Sequence, residues 1–132
     1  MLRLGKERPA LNIVSDQKGA PTWARAIAVA TTEVIARANE SDSGMTGYFE
    51  KRAGGYHMAA SGFTTWFGFA EAIFERAPEP RPVLTPISTD QYPTPARRPM
   101  NSVLDTSKLT GTFGVELADW RSQLDKAMSS GE

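Results

Sequence analysis

The sequence predicts an α/β fold of short parallel strands and three to four helices. Two observations carry the prediction: short apolar runs alternate with segments whose apolar residues recur at steps of three and four, and glycine- or proline-rich turns separate them. The 132 residues, 40% hydrophobic and 23% charged, have room for one domain with its own core, spanning 1–132.

Taken in order, Met1 to Arg8 reads as the tail of a helix that begins before it. Leu11 to Ser15 is mainly apolar and reads as a largely buried strand. After the loop Asp16-Gln17-Lys18-Gly19-Ala20-Pro21-Thr22, a helix is expected with Trp23, Ile27, Ala30, Val34 and Ala38 on its inner face. Pro21 and Thr22 suit its start, the first by its fixed φ and the second by its capping hydroxyl.

Residues 39–55 contain four glycines with Ser41, Asp42 and Ser43, a composition expected to give an exposed, flexible loop. Tyr56 to Ala60 forms a second short strand. The next helix presents Trp66, Phe69, Ala70, Ile73 and Phe74 to the core and must stop before Pro78. Val83 to Ile87 reads as an edge strand because of Pro86. Tyr92 to Pro99 is too rich in proline for a helix and is expected to lie extended over the surface. Asp105 or Thr106 can cap a short helix through Leu109, and Asp119 a last one with Trp120, Leu124 and Met128 inside.

Composition excludes several functions. Fifteen Lys and Arg balance fifteen Asp and Glu, so nucleic-acid binding loses its usual electrostatic drive. With no cysteine, disulfides and thiolate chemistry are absent, and the single His57 cannot anchor a histidine metal site. No apolar run approaches the roughly 20 residues of a membrane span. The expected setting is cytoplasmic.

Several motifs appear in sequence: Asp16-Gln17-Lys18-Gly19-Ala20-Pro21-Thr22; Gly55-Tyr56-His57 with Thr65-Trp66 and Phe69-Ala70; Tyr92-Pro93-Thr94-Pro95-Ala96-Arg97-Arg98-Pro99-Met100-Asn101-Ser102-Val103-Leu104-Asp105; and Leu117-Ala118-Asp119-Trp120-Arg121. In this order and spacing they resemble the C-terminal, substrate-binding part of the dTDP-4-dehydrorhamnose reductases, extended short-chain dehydrogenases. The glycine-rich loop departs from the pattern by its length. The resemblance implies reduction of dTDP-4-dehydro-L-rhamnose to dTDP-L-rhamnose with NADPH or NADH by the complete enzyme, in nucleotide-sugar and cell-surface polysaccharide biosynthesis.

The parts that chemistry needs are missing from the motifs above. No glycine-rich strand-to-helix turn offers its N–H groups to a dinucleotide, so the Rossmann half is absent and no cofactor is expected to bind here. No tyrosine has a lysine four residues on: Arg52, Ala60 and Ala96 follow Tyr48, Tyr56 and Tyr92. Arg52 is a cation, but no helix is expected to hold it on Tyr48's face. The chain alone is therefore expected to be inactive.

The resemblance implies substrate contacts at Gln17, Gly19, Pro21, Thr22, Arg98 and Asn101. Gln17 is the best candidate of the first loop, although the loop also reads as a plain strand-to-helix connection. Arg98 has the fork that suits a diphosphate, with Asn101 beside it, against the alternative of an arginine that ties down its own loop. His57 reads as a hydrogen-bonded structural residue, Trp66 as packing, and Glu7 as part of a solvated helix face. Weak binding of a dTDP-sugar is expected, with a homodimer or docking onto a Rossmann half as candidate associations. The alternative function is a non-catalytic binding or regulatory subunit that docks onto another chain.

Overall fold

A computed structural model describes residues 1–92 and 94–130, so Pro93 of the proline-rich segment lies outside the described residues. Among the described residues six α-helices are interspersed with six short strands: α1 Leu2–Glu7, β1 Ala10–Val14, β2 Lys18–Gly19, α2 Ala24–Asn39, α3 Gly44–Glu50, β3 Ala60–Ser61, β4 Thr64–Thr65, α4 Trp66–Arg76, β5 Val83–Ile87, α5 Ser107–Phe113, β6 Leu117–Asp119 and α6 Trp120–Ser129. The strands form three two-stranded sheets. β1 and β5 run parallel from Ala10 opposite Val83 to Val14 opposite Ile87, β3 and β6 are parallel, and β2 and β4 antiparallel. Pro86 sits opposite Ile13 on the edge strand expected for it.

Three apolar clusters hold these pieces. Ala30 and Ala38 of α2, Tyr48 of α3, Leu109 and Phe113 of α5, Val115 and Leu117 form the first. Ala60, Ala72, Ile73, Trp120 and Leu124 join α4 to α6. Leu11, Phe74 and Ala77 join β1 to α4, with Leu4 of α1 packed against them. Helix α1 lies so close to α4 that a Cβ on Gly5 would stand 2.5 Å from a ring carbon of Phe74. Gly114 ends α5 in the left-handed conformation, φ 64°, that favours glycine.

Several local expectations are corrected. Residues 39–55 are not an open loop: α3 occupies Gly44–Glu50, and Tyr48 is buried with its ring edged against Phe49 and tilted on Phe113. The glycine count concealed Tyr48, whose burial against Phe113 stabilises the helix, while Phe49 stays exposed. In the turn just past the end of this helix, Arg52 folds back over the Tyr48 ring, 3.9 Å from its centre, and donates to the Tyr48 carbonyl, so the two side chains do lie together.

Helix α2 begins at Ala24. Thr22 does not cap it; its hydroxyl donates to the Ala20 carbonyl and accepts the Ala60 N–H. Ala26 replaces Ile27 on the inner face, and Ile27 is exposed. The second strand is confined to Ala60–Ser61, short of the Tyr56–Ala60 run expected. Helix α5 runs to Phe113, beyond Leu109, and the Asp105 carboxylate accepts the Ser107 N–H just ahead of its first turn. Asp119 caps α6 by accepting the Arg121 N–H, and Trp120, Leu124 and Met128 form its inner stripe.

Trp66 is the largest departure. It is 51% exposed, whereas Ala70, Ile73 and Phe74 of the same stripe are buried. The residue opens α4, one turn before the stripe reaches the core, and its indole stands over a cleft.

Candidate functional site

The cleft is built where β1 ends. Past Val14 the chain turns through Asp16 and Gln17 into β2, which is gripped on both sides. Lys18 and Gly19 pair with Thr65 and Thr64 of β4. On the other side the Lys18 N–H donates to the Met100 carbonyl, while the backbone N–H and the hydroxyl of Ser102 both donate to the Lys18 carbonyl. Gly19 lets the strands close up, since a Cβ there would stand 3.1 Å from the Ser102 hydroxyl. The segment carrying Arg98 is thus strapped to the segment carrying Gln17.

Two openings share this framework. One, of about 500 Å³, is lined by Gln17 through Thr22, Thr64 through Trp66, Phe69, Arg98, Pro99 and Ser102. The other, of about 790 Å³, runs along β1 and past Leu4, Arg8, Gln91, Tyr92 and Thr94. Gln17, Trp66 and Arg98 line both, so the two are arms of one cleft with these side chains at the junction.

At that junction Gln17 is only 8% exposed. Its carboxamide nitrogen donates to the Thr89 hydroxyl at 3.0 Å. That hydroxyl in turn donates to the Asp16 carboxylate at 2.6 Å, and the Thr89 N–H donates to the other carboxylate oxygen at 2.9 Å. The two bonds from Thr89 favour the ionised form and hold the Asp16 carboxyl below its ordinary range. Arg98 is exposed and makes no hydrogen bond or ion pair among the described residues. Its fork and the indole of Trp66 are the chemically assertive groups facing the opening. Lys18 adds a second cation, resting 5.4 Å from the centre of the exposed Phe63 ring.

Of the residues singled out in the sequence, Gln17, Gly19, Pro21, Thr22 and Arg98 come together around the smaller arm. Asn101 does not line either arm; its side-chain oxygen accepts the Val103 N–H at 3.0 Å and shapes the turn. Ser102 faces the cleft in its stead. The imidazole Nδ1 of His57 lies 3.2 Å from the Asp105 carbonyl, on an exposed surface away from the cleft. Glu7 pairs with Arg3 at 3.0 Å on the outer face of α1. Among the described residues no group of acidic or histidine side chains is gathered to hold a metal, and no helix is long and apolar enough to cross a membrane.

Trp66 and Thr89 were missed. Trp66 had a signal, because Thr65 caps α4 by accepting the Gly68 N–H and so puts Trp66 in the first turn. Thr89 had none, being 72 positions from Gln17.

The glycine-rich strand-to-helix turn that cradles a dinucleotide pyrophosphate is not seen among the described residues. The connection from β1 to α2 carries the single Gly19, committed to a strand, and the Trp23 N–H that begins α2 is already bound by Gln123.

The whole chain, residues 1–132, matches the family described as the RmlD substrate binding domain. A dTDP-4-dehydrorhamnose reductase of Burkholderia thailandensis is 48% identical over 128 residues, covering 92% of this chain and 42% of that protein. The Escherichia coli K12 protein of the same name is 43% identical, with 92% and 40% covered. A crystal structure of the Bacillus anthracis dTDP-4-dehydrorhamnose reductase in complex with NADP superposes with a TM-score of 0.80 at 28% identity, over 98% of this chain and 41% of that one. The chain spans about two fifths of the length of each of these proteins.

Proposed function

This chain belongs to the RmlD substrate binding domain family, and we propose that its cleft forms one wall of a dTDP-sugar site in a dTDP-4-dehydrorhamnose reductase. The observation that carries the reading is Arg98. An exposed guanidinium with no partner among the described residues, on a segment strapped to Gln17, meets a cleft large enough for a nucleotide sugar. Its planar fork suits a diphosphate. Trp66 offers a flat apolar face beside it, and Gln17 a polar group.

With the Tyr-x-x-x-Lys pair and a dinucleotide site both missing from its motifs, the chain supplies recognition, and the reduction by NADPH or NADH belongs to the complete enzyme. Binding by this wall alone is weak, because a ligand is held from one side only. Cytoplasmic nucleotide-sugar biosynthesis is the corresponding setting.

The test is a titration of dTDP-rhamnose into the chain, followed by the backbone NMR signals of Gln17, Thr22 and Arg98. Joint, saturable shifts are expected. A well-dispersed spectrum in which none of them moves would overturn the proposal.

A second reading, docking onto a dinucleotide-binding half, is favoured by the β1–β5 sheet. Parallel strands are normally covered on both faces, yet Val83 is 67% exposed and Asn12 and Thr85 are exposed beside it. Mixing the chain with the N-terminal part of the Burkholderia thailandensis relative should give a co-eluting complex in size-exclusion chromatography; separate elution at micromolar concentration would count against it.

A further inference from the structure

We infer that Asp16 and Thr89 are positioning residues that fix the Gln17 carboxamide with its oxygen toward the cleft, so that the site accepts a hydrogen bond from an N–H or O–H group of its ligand. This rests on the sugar-nucleotide reading above and deepens it.

The polarity of the chain of bonds follows from its acidic end. An ionised carboxylate can only accept, so the Thr89 hydroxyl must give its proton to Asp16. With that proton committed, the same oxygen can only accept from Gln17, which obliges the carboxamide to present its nitrogen to Thr89. The two-fold ambiguity of a carboxamide is thereby removed. The Thr89 N–H, bound to the second carboxylate oxygen, prevents the carboxylate from turning away.

The remaining end of Gln17 is its oxygen. It makes no hydrogen bond, and no buried side-chain nitrogen or oxygen among the described residues lacks a partner. The oxygen is therefore reached by solvent, although the residue as a whole is 8% exposed, and Gln17 borders both arms of the cleft. An oriented acceptor on a largely buried side chain discriminates strongly, since a ligand that covers it without offering a donor leaves it desolvated and unpaired. Arg98 beside it only donates, so the pair reads two complementary features, an anion and a donor.

The experiment compares the wild-type chain with Thr89→Val, which keeps the shape and deletes the hydroxyl, and with Thr89→Ser, which restores it. The side-chain carboxamide signals of Gln17 are recorded by ¹⁵N NMR in the free protein, and dTDP and dTDP-rhamnose are titrated into each. In Thr89→Val the carboxamide signals should move toward those of a solvated glutamine and affinity should fall roughly three- to tenfold; Thr89→Ser should keep both. Equal loss for the two ligands assigns the donor to the thymidine diphosphate part, and loss for dTDP-rhamnose alone assigns it to a sugar hydroxyl.

Unchanged carboxamide signals in Thr89→Val, or altered signals with unchanged affinity, overturn the inference. If the wild type binds neither ligand, the sugar-nucleotide reading falls, and the free-protein spectra still decide whether Thr89 orients Gln17.

Discussion

Two glutamines of this chain are buried to a similar degree, Gln123 at 3% exposure and Gln17 at 8%, and they are put to opposite uses. Gln123, on α6, spends both ends of its carboxamide on backbone: its oxygen accepts the Trp23 N–H at 2.9 Å and its nitrogen donates to the Ala118 carbonyl at 2.7 Å. It joins the start of α2 to the strand-helix corner of β6 and α6. Gln17 spends one end on Thr89 and leaves the other at the cleft. A buried amide that is fully used fixes the fold, whereas one that is half used is available to something that arrives later.

The largest effect that tests this contrast is on stability. Gln123→Ala strips the half-buried Trp23 N–H and the Ala118 carbonyl of their partners at once and empties a buried position, so a loss of roughly 2–4 kcal/mol is expected. Gln17→Ala should cost about 1 kcal/mol or less, because its free end already faces solvent and Thr89 keeps Asp16. Urea unfolding of the two variants measures the difference directly. Equal losses would abolish the distinction.

Ligand affinity should rank the residues the other way. Arg98→Ala is expected to weaken dTDP-rhamnose binding about ten- to a hundredfold, the scale of a charge-assisted hydrogen bond, with unfolding unchanged. Arg98→Lys should recover only part of it, since an ammonium lacks the planar fork. Gln123 variants that remain folded should bind as the wild type does. Calorimetric or NMR titration separates these outcomes.

Much of this was legible in the sequence, and the failures share a cause. The periodicity of Ala70, Ile73 and Phe74, the capping Asp119 and the edge strand with Pro86 are local properties, written in neighbouring residues. Tyr48 was hidden because four glycines suggested a loop, while its burial depends on Phe113, far along the chain. Trp66 fell on a core-facing stripe and is exposed because the core begins one turn later. The motif around Gln17 marked a site, but nothing near it announced Thr89, whose bonds to Asp16 and Gln17 span more than 70 residues. The wheel of a helix can be read from spacing; a polar network closed by the fold cannot.

The smallest expected effect concerns pH and bears on the Gln17 end of the comparison alone. The Asp16 carboxyl is held below its ordinary range by Thr89, and the Asp105 carboxyl by Ser107, mainly through its backbone N–H. A carboxyl whose folded value is depressed contributes stability that is present above its unfolded value, near 4, and is lost as pH falls through the folded one. Unfolding midpoints should therefore be flat from about pH 7 to 5 and decline below about 4. Asp16→Asn removes only the Asp16 share: the variant should be less stable than the wild type at neutral pH, with the gap narrowing on acidification. The Gln17 carboxamide signals should shift over the same acid range in the wild type, because protonated Asp16 no longer fixes the direction of the Thr89 hydroxyl. A gap between the two proteins that stays constant down to pH 3, with the Gln17 signals unmoved, would mean that the carboxylate holds the loop by shape and not by charge.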